Sequence, residues 1–205
     1  MFSATFVFVS ISLLAYVNPV ISHGTITSVT GANGVQGAGF GIIATTPRDG
    51  ALPIPFEQDT SIIRDQEIQS GKTGACGRTP KGGNNDVAAQ LAAASQAGLP
   101  TTSANGELTM NLHQVNQDGA GPYTCEVSTD GGNTFQAATV TQNVAGVAGI
   151  SLAAASDFPL VMQVAAGTTC AGGPNGDACI ARCRNPALAG PFGSCVACTF
   201  LLLLY

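Results

Sequence analysis

Residues 107–132 read ELTMNLHQVNQDGAGPYTCEVSTDGG, and the reading of this stretch decides the fold. Leu108, Met110 and Leu112 recur at every second position of 107–116, the period of a strand with one face buried. Asn116-Gln117-Asp118-Gly119 interrupts the run as a turn. The alternation resumes over 123–129 (YTCEVST), and Asp130-Gly131-Gly132 closes it with a hairpin signal. Two strands with a tight connection next to them predict an antiparallel sheet.

Working outward, the same pattern predicts strands at 135–142, 148–153, 159–164, 179–184 and 195–200, and one upstream at 25–30 (TITSVT). The glycine-rich residues 31–50 read mainly as loop, and the two prolines of ALPIPF (51–56) remove ladder donors and exclude a central strand. One helix is predicted over 87–97: Asp86 caps it, Gly98 and Pro100 end it, and Val87, Leu91 and Ala94 share a face. Short strands at near-regular spacing predict a mostly β protein, an immunoglobulin-like or fibronectin-like β-sandwich with long loops and one short helix.

The first 22 residues, MFSATFVFVSISLLAYVNPVIS, are apolar and end in small residues at Val20 and Ser22, as a cleaved signal peptide does, although no Lys or Arg precedes the apolar run. They predict secretion to the extracellular space, with 23–205 as a single β-sandwich domain and no membrane segment in the mature form. The seven cysteines then read as a disulfide framework. Seven is odd, and Cys198, beside the unusual tail LLLLY, is the candidate left over. Cys179-x₃-Cys183 and Cys195-x₂-Cys198 have metal-like spacings, but oxidising surroundings favour disulfides over zinc. A net charge of −5 with no basic cluster excludes nucleic acid as a partner. No N-x-Ser/Thr sequon is present.

Only two histidines occur, His23 and His113. Cleavage after Ser22 would make His23 the first residue, offering its α-amine and ring to one metal. The imidazole of His113 would complete a T-shaped set of three nitrogens, a geometry suited to Cu(II). That arrangement resembles the histidine brace of lytic polysaccharide monooxygenases, whose axial position an aromatic ring often fills. Phe192, in GPFGSC, is the axial candidate and Phe158 a weaker one. The competing reading is that His23 falls at the cleavage point by chance and His113 is an ordinary strand residue. The alternation turns His113 away from the Leu108/Met110/Leu112 face, so it must lie near a sandwich end to meet His23. Other templates are weak. GxSxG is absent, and Glu107, Asp118, Glu126 and Asp130 read as turn and strand-end carboxylates. Arg182 and Arg184 share the face of Ile180, as groups supporting the site or as plain exposed arginines.

Three blocks, HGTITSVTGANGVQGAGFGI (23–42), LHQVNQDGAGPYTCEVSTDGG (112–132) and CIARCRNPALAGPFGSC (179–195), resemble the fungal appressorium-associated secreted proteins, the MAS-type or Egh-type virulence-factor family. The resemblance implies secretion by a fungus and a role in host penetration or virulence, without implying an enzyme. The third block is also similar to fungal polysaccharide monooxygenases and their copper-binding, non-oxidising relatives. The leading expectation is therefore a monooxygenase-like sandwich holding copper through His23, His113 and Phe192 and acting on or binding plant or fungal cell-wall polysaccharide. Its rivals are a non-catalytic surface protein that binds glycan or sequesters copper, and a structural protein without ligand. The absence of Trp weighs against a crystalline polysaccharide substrate.

Overall fold

The computed structural model describes residues 23–200; the expected signal segment 1–22 and the tail 201–205 lie outside the described residues. Eleven strands form one antiparallel sheet that folds over on itself. They are β1 (Gly24–Thr30), β2 (Gln36–Ala38), β3 (Ser61–Ile62), β4 (Arg78–Thr79), β5 (Gly83–Asn84) and β6 (Glu107–Gln114). The remainder are β7 (Thr124–Ser128), β8 (Gln136–Gln142), β9 (Ser156–Gln163), β10 (Cys179–Arg184) and β11 (Phe192–Cys198). Their spatial order is β2-β1-β6-β9-β8-β7-β10-β11-β3-β4-β5. β8 is the corner, pairing with β7 on one side and β9 on the other. The sandwich predicted from the strand pattern is thus a single curled sheet with two facing halves.

The reason for the fold lies in the alternation. Leu108, Met110 and Leu112 of β6 face inward with Ile26 and Val29 of β1 and Leu160 and Met162 of β9. They meet Val127, Ala181 and Val196 from the opposite half. Each such aliphatic side chain contributes about 1.5–3 kcal/mol by leaving water. β11 is buried along its whole length because its other face carries a second cluster. There Leu91 of the helix Val87–Ala97 packs with Phe40, Ile180 and Ala197, and Val87 and Ala94 border them. The helix begins as predicted, with the Asp86 carboxylate accepting the Ala89 N–H at 3.0 Å.

Three disulfides brace one half of the sheet: Cys125–Cys183 joins the adjacent strands β7 and β10, while Cys76–Cys195 and Cys170–Cys179 tie loops to β11 and β10. Cys198 is the free thiol, as predicted, and it is buried. Burial pushes its pKa up to about 12, against a weaker opposing backbone contact from Ala181. It therefore does not pair between folded chains.

Some strand expectations need correction. Residues 148–153 are a turn, with Val147 and Ile150 bonded to each other and Ala148 at φ 51°. Left-handed backbone cannot continue a ladder. β9 begins at Ser156 rather than 159, and β11 starts at Phe192 rather than 195. Among the described residues, a one-turn helix at Asp65–Gln69 and the two-residue strands β3, β4 and β5 had no periodicity to announce them.

Candidate functional site

His23 precedes β1, and its carbonyl accepts the Val115 N–H at 2.9 Å, which continues the β1–β6 ladder by one step. Below it, Gly24 pairs with Gln114 and Thr25 with His113. By the two-residue period of a strand, His23, Thr25 and His113 share a face, with the two histidines diagonal across the ladder. Diagonal neighbours lie about 7–8 Å apart at Cα. The end of β6 is therefore where His113 meets His23's neighbourhood, as the expectation required. Both side chains are buried, 4% and 1% exposed respectively.

The Gly24 position holds this end closed. A Cβ there would collide with Gly119 O and the Tyr123 hydroxyl. Tyr123 is fully buried and donates to Gly119 O at 2.9 Å. Burial, with a smaller push from Asp118, raises its pKa, so it stays a neutral donor.

Around His23 the chain assembles polar groups that are remote in sequence. The His23 N–H donates to Asn116 Oδ1, and Asn116 Nδ2 donates to Glu57 Oε1 at 2.6 Å and to Ala51 O at 3.1 Å. The other Glu57 oxygen lies 2.9 Å from His23 Nδ1. Nδ1 nonetheless lacks hydrogen-bond geometry to any partner among the described residues, so the contact with Glu57 is one of charge proximity rather than a directed bond. Asp118 is the third acidic or amide group of this cluster. Its Oδ1 is buried and unbonded, and burial foremost raises its pKa, its own backbone N–H and His23 opposing the rise and Glu57 adding to it. The Phe192 ring packs on the His23 ring, with centroids 4.6 Å apart.

His113 is set by a partner on the next strand. Its Nδ1 is 2.8 Å from Asp157 Oδ1 of β9, and its Nε2 is buried with no bonding partner among the described residues. A carboxylate only accepts, so Nδ1 carries a proton, and the neutral ring then has its free lone pair on Nε2. Two ring nitrogens, His23 Nδ1 and His113 Nε2, are thus left unbonded in one buried, acid-lined end of the sandwich. Among the described residues no three His, Cys, Asp or Glu side chains converge at ligating distance, so a metal here would need the His23 amine as its third nitrogen. The residues present fit copper in this sense: two unbonded imidazole nitrogens, one of them oriented by a carboxylate behind it, and nearby negative charge.

The other sequence candidates are elsewhere. Phe158 pairs with Leu112 and packs into the main core, not against His23. Arg182 is buried rather than exposed, bonded to Glu126 at 2.8 Å and lying 3.7 Å over the Phe135 ring; Arg184 pairs with Asp65. Neither supports the histidines. Glu107 accepts from Thr141, and Asp130 organises its own turn through Ser128, Asn133 and Thr134, which hold its pKa well below the ordinary carboxylate value. The carboxylates that do reach the site include Glu57, which no local pattern announces, since it follows a proline turn and its partners His23 and Asn116 are 34 and 59 residues away.

Among the described residues no helix is long and apolar enough to cross a membrane. No solved structure matches this chain significantly. An appressoria-specific virulence factor of Pyricularia oryzae, GAS2, is 38% identical over 252 aligned residues, covering 92% of this chain and 87% of its own. A second from the same fungus, GAS1, is 40% identical over 185 residues, covering 87% and 72%. The family pattern of the Egh16-like virulence factors matches residues 21–193. On the strength of that match and these two relatives, the chain belongs to the Egh16-like virulence factor family.

Proposed function

We propose that the chain is a secreted fungal protein acting in host penetration, and that once residues 1–22 are removed it holds one copper ion through the His23 amine, His23 Nδ1 and His113 Nε2. The observation that carries the metal reading is the buried, unbonded Nε2 of His113, since an unsatisfied buried polar atom is costly unless something binds it; His23 Nδ1, which lacks hydrogen-bond geometry, faces the Glu57 carboxylate at 2.9 Å, which copper would displace. Asp157 holds the His113 ring in the tautomer that leaves Nε2 free. Asn116 holds the nitrogen of His23, and Phe192 covers one side of its ring. Bound copper would supply redox chemistry with oxygen or peroxide toward a cell-wall polysaccharide, in the manner of a histidine-brace monooxygenase. The protein's part is to orient the nitrogens and exclude water.

A second reading is favoured by one contact. Glu57 Oε2, 2.9 Å from His23 Nδ1, serves a protonated ring as an ion pair and leaves no role for metal. The protein would then be a surface or glycan-binding protein without cofactor. The test is Cu(II) titration of protein beginning at an authentic His23, followed by electron paramagnetic resonance. The copper reading expects one-to-one binding with an axial three-nitrogen signal that His113→Ala abolishes. Weak, non-stoichiometric binding, or a signal indifferent to His113, leaves the ion-pair reading. Oxidised-sugar release from wall polysaccharides then separates an enzyme from a copper-holding protein.

A further inference from the structure

We infer that the His23 end of the sandwich is also a docking surface for an uncharged alkyl layer, a wax-like solid, presented by three loops that meet on the turn Gln117–Gly119. The six exposed large hydrophobic side chains among the described residues are Leu52, Ile54, Val147, Ile150, Leu152 and Leu188. They belong to segments 51–56, 144–155 and 186–191. All three segments are tied to the same turn and its flanks. Asn116 Nδ2 donates to Ala51 O at 3.1 Å, Ser151 N to Gln117 O at 2.8 Å and Ala120 N to Gly149 O at 3.1 Å. Asn185 Nδ2 donates to Asp118 O and Ala120 O, fixing the start of the third segment. Gly149 abuts Ala187, which joins the second and third loops directly.

The exposure is large: Ile54, Val147, Leu152 and Leu188 are each 80% exposed or more. Single exposed aliphatic residues are ordinary, but six gathered on one end mark an interaction surface. The loops are also braced. Val147 and Ile150 bond to each other in both directions across a turn in which Ala148 holds a left-handed φ of 51°. A non-glycine residue keeps that conformation only where its surroundings impose it.

The composition selects the occupant. The 24 residues of the three segments hold no Asp, Glu, Lys, Arg or His, one hydroxyl (Ser151) and one aromatic ring (Phe56). The nearest charges are committed or peripheral: Glu57, next to the first loop, lies against His23; Asp157, two residues past the second, is bonded to His113; Asp118 Oδ1, on the turn itself, is buried; Arg64 donates to Ala189 O and Gly190 O and pairs with Glu67; and Asp49 borders the first loop. A charged partner therefore finds nothing to pair with. A sugar face finds no Trp or Tyr to stack on. A phospholipid bilayer is usually gripped by interfacial Trp or Tyr and by Lys or Arg, and these loops carry none of the four. What remains is a layer that offers alkyl chains directly, where burying aliphatic side chains is the whole driving force.

The test is retention of the mature protein on paraffin particles, on phosphatidylcholine vesicles and in solution by size-exclusion chromatography, at low and high salt. The comparison is Leu152→Ser/Leu188→Ser, whose exposed positions leave the fold intact by circular dichroism. The expected result is salt-insensitive binding to paraffin that the double variant weakens about tenfold or more, with wild-type vesicle binding weak. Equal paraffin binding by wild type and variant overturns the proposal. So does preferential binding to vesicles, or a dimer that the double variant abolishes, which would make a bilayer or a second copy the occupant. His113→Ala, which destroys the proposed copper set, leaves paraffin binding unchanged, so failure of either reading is seen separately.

Discussion

Asp157 is the residue whose replacement says most about His113. Its Oδ1 lies 2.8 Å from His113 Nδ1, with the imidazole buried and the carboxylate 61% exposed. Water screens the exposed partner, so the bond falls at the low end for a charge-assisted hydrogen bond, about 1.5 kcal/mol. Asp157→Asn keeps an acceptor in place and removes the charge; Asp157→Ala removes both and lets the proton sit on either nitrogen. Partners behind a metal-bound imidazole are worth about 10–100-fold in affinity, and 1.5 kcal/mol corresponds to about tenfold. Copper affinity should therefore fall about tenfold in Asp157→Ala and about threefold in Asp157→Asn, half the free energy being retained with the acceptor. The assay is competition against a chelator of known strength, with thermal melting of the metal-free proteins in parallel. Unchanged affinity in both variants with the fold intact refutes His113 Nε2 as a ligand. A lowered melting temperature with unchanged affinity makes the bond structural only.

Other consequences are simpler to measure. Cys76→Ser/Cys195→Ser opens a link spanning 119 residues and should cost about 4–5 kcal/mol in denaturant unfolding, against about 2–3 kcal/mol for the link between Cys170 and Cys179, nine residues apart. Glu67 is held by Arg78 foremost, against its own burial and with help from Lys72, at a pKa of about 2 instead of 4.5. Its folded pKa is depressed, so its contribution is full above pH 4.5 and vanishes as pH falls toward 2; the stability gap between wild type and Glu67→Gln should close across that window. Cys198, with a pKa pushed up to about 12, should ignore thiol reagents at pH 8 in the folded protein and react once unfolded.

The sequence made much of this legible where a repeating signal existed. Alternation at Leu108, Met110 and Leu112 located β6, and the same alternation put His113 on the opposite face, where it indeed lies beside Thr25. The capped alanine run located the helix within a residue. Phe192 was legible from its place before the last cysteines, and its ring does pack on His23. Two-residue strands carry no period, so β3, β4 and β5 were invisible. The apolar run at 148–153 imitated a strand because apolarity alone does not report φ; Ala148 and Gly149 turn the chain instead. Glu57, Asn116 and Asp157 were missed as site residues because their partners are 34 to 93 positions away, brought close only by the pairing of strands and the packing of a loop that no local pattern announces.

Among the described residues the curl of the sheet leaves two free margins, β2 at one end of the strand order and β5 at the other, three and two residues long. Unpaired N–H and C=O groups along a long margin are what recruit further chains into fibrils. Here a neighbouring molecule would find a template of two or three rungs, too short to hold it. With its apolar loops uncovered, the described part of the fold thus still presents no long backbone template from which amyloid could grow.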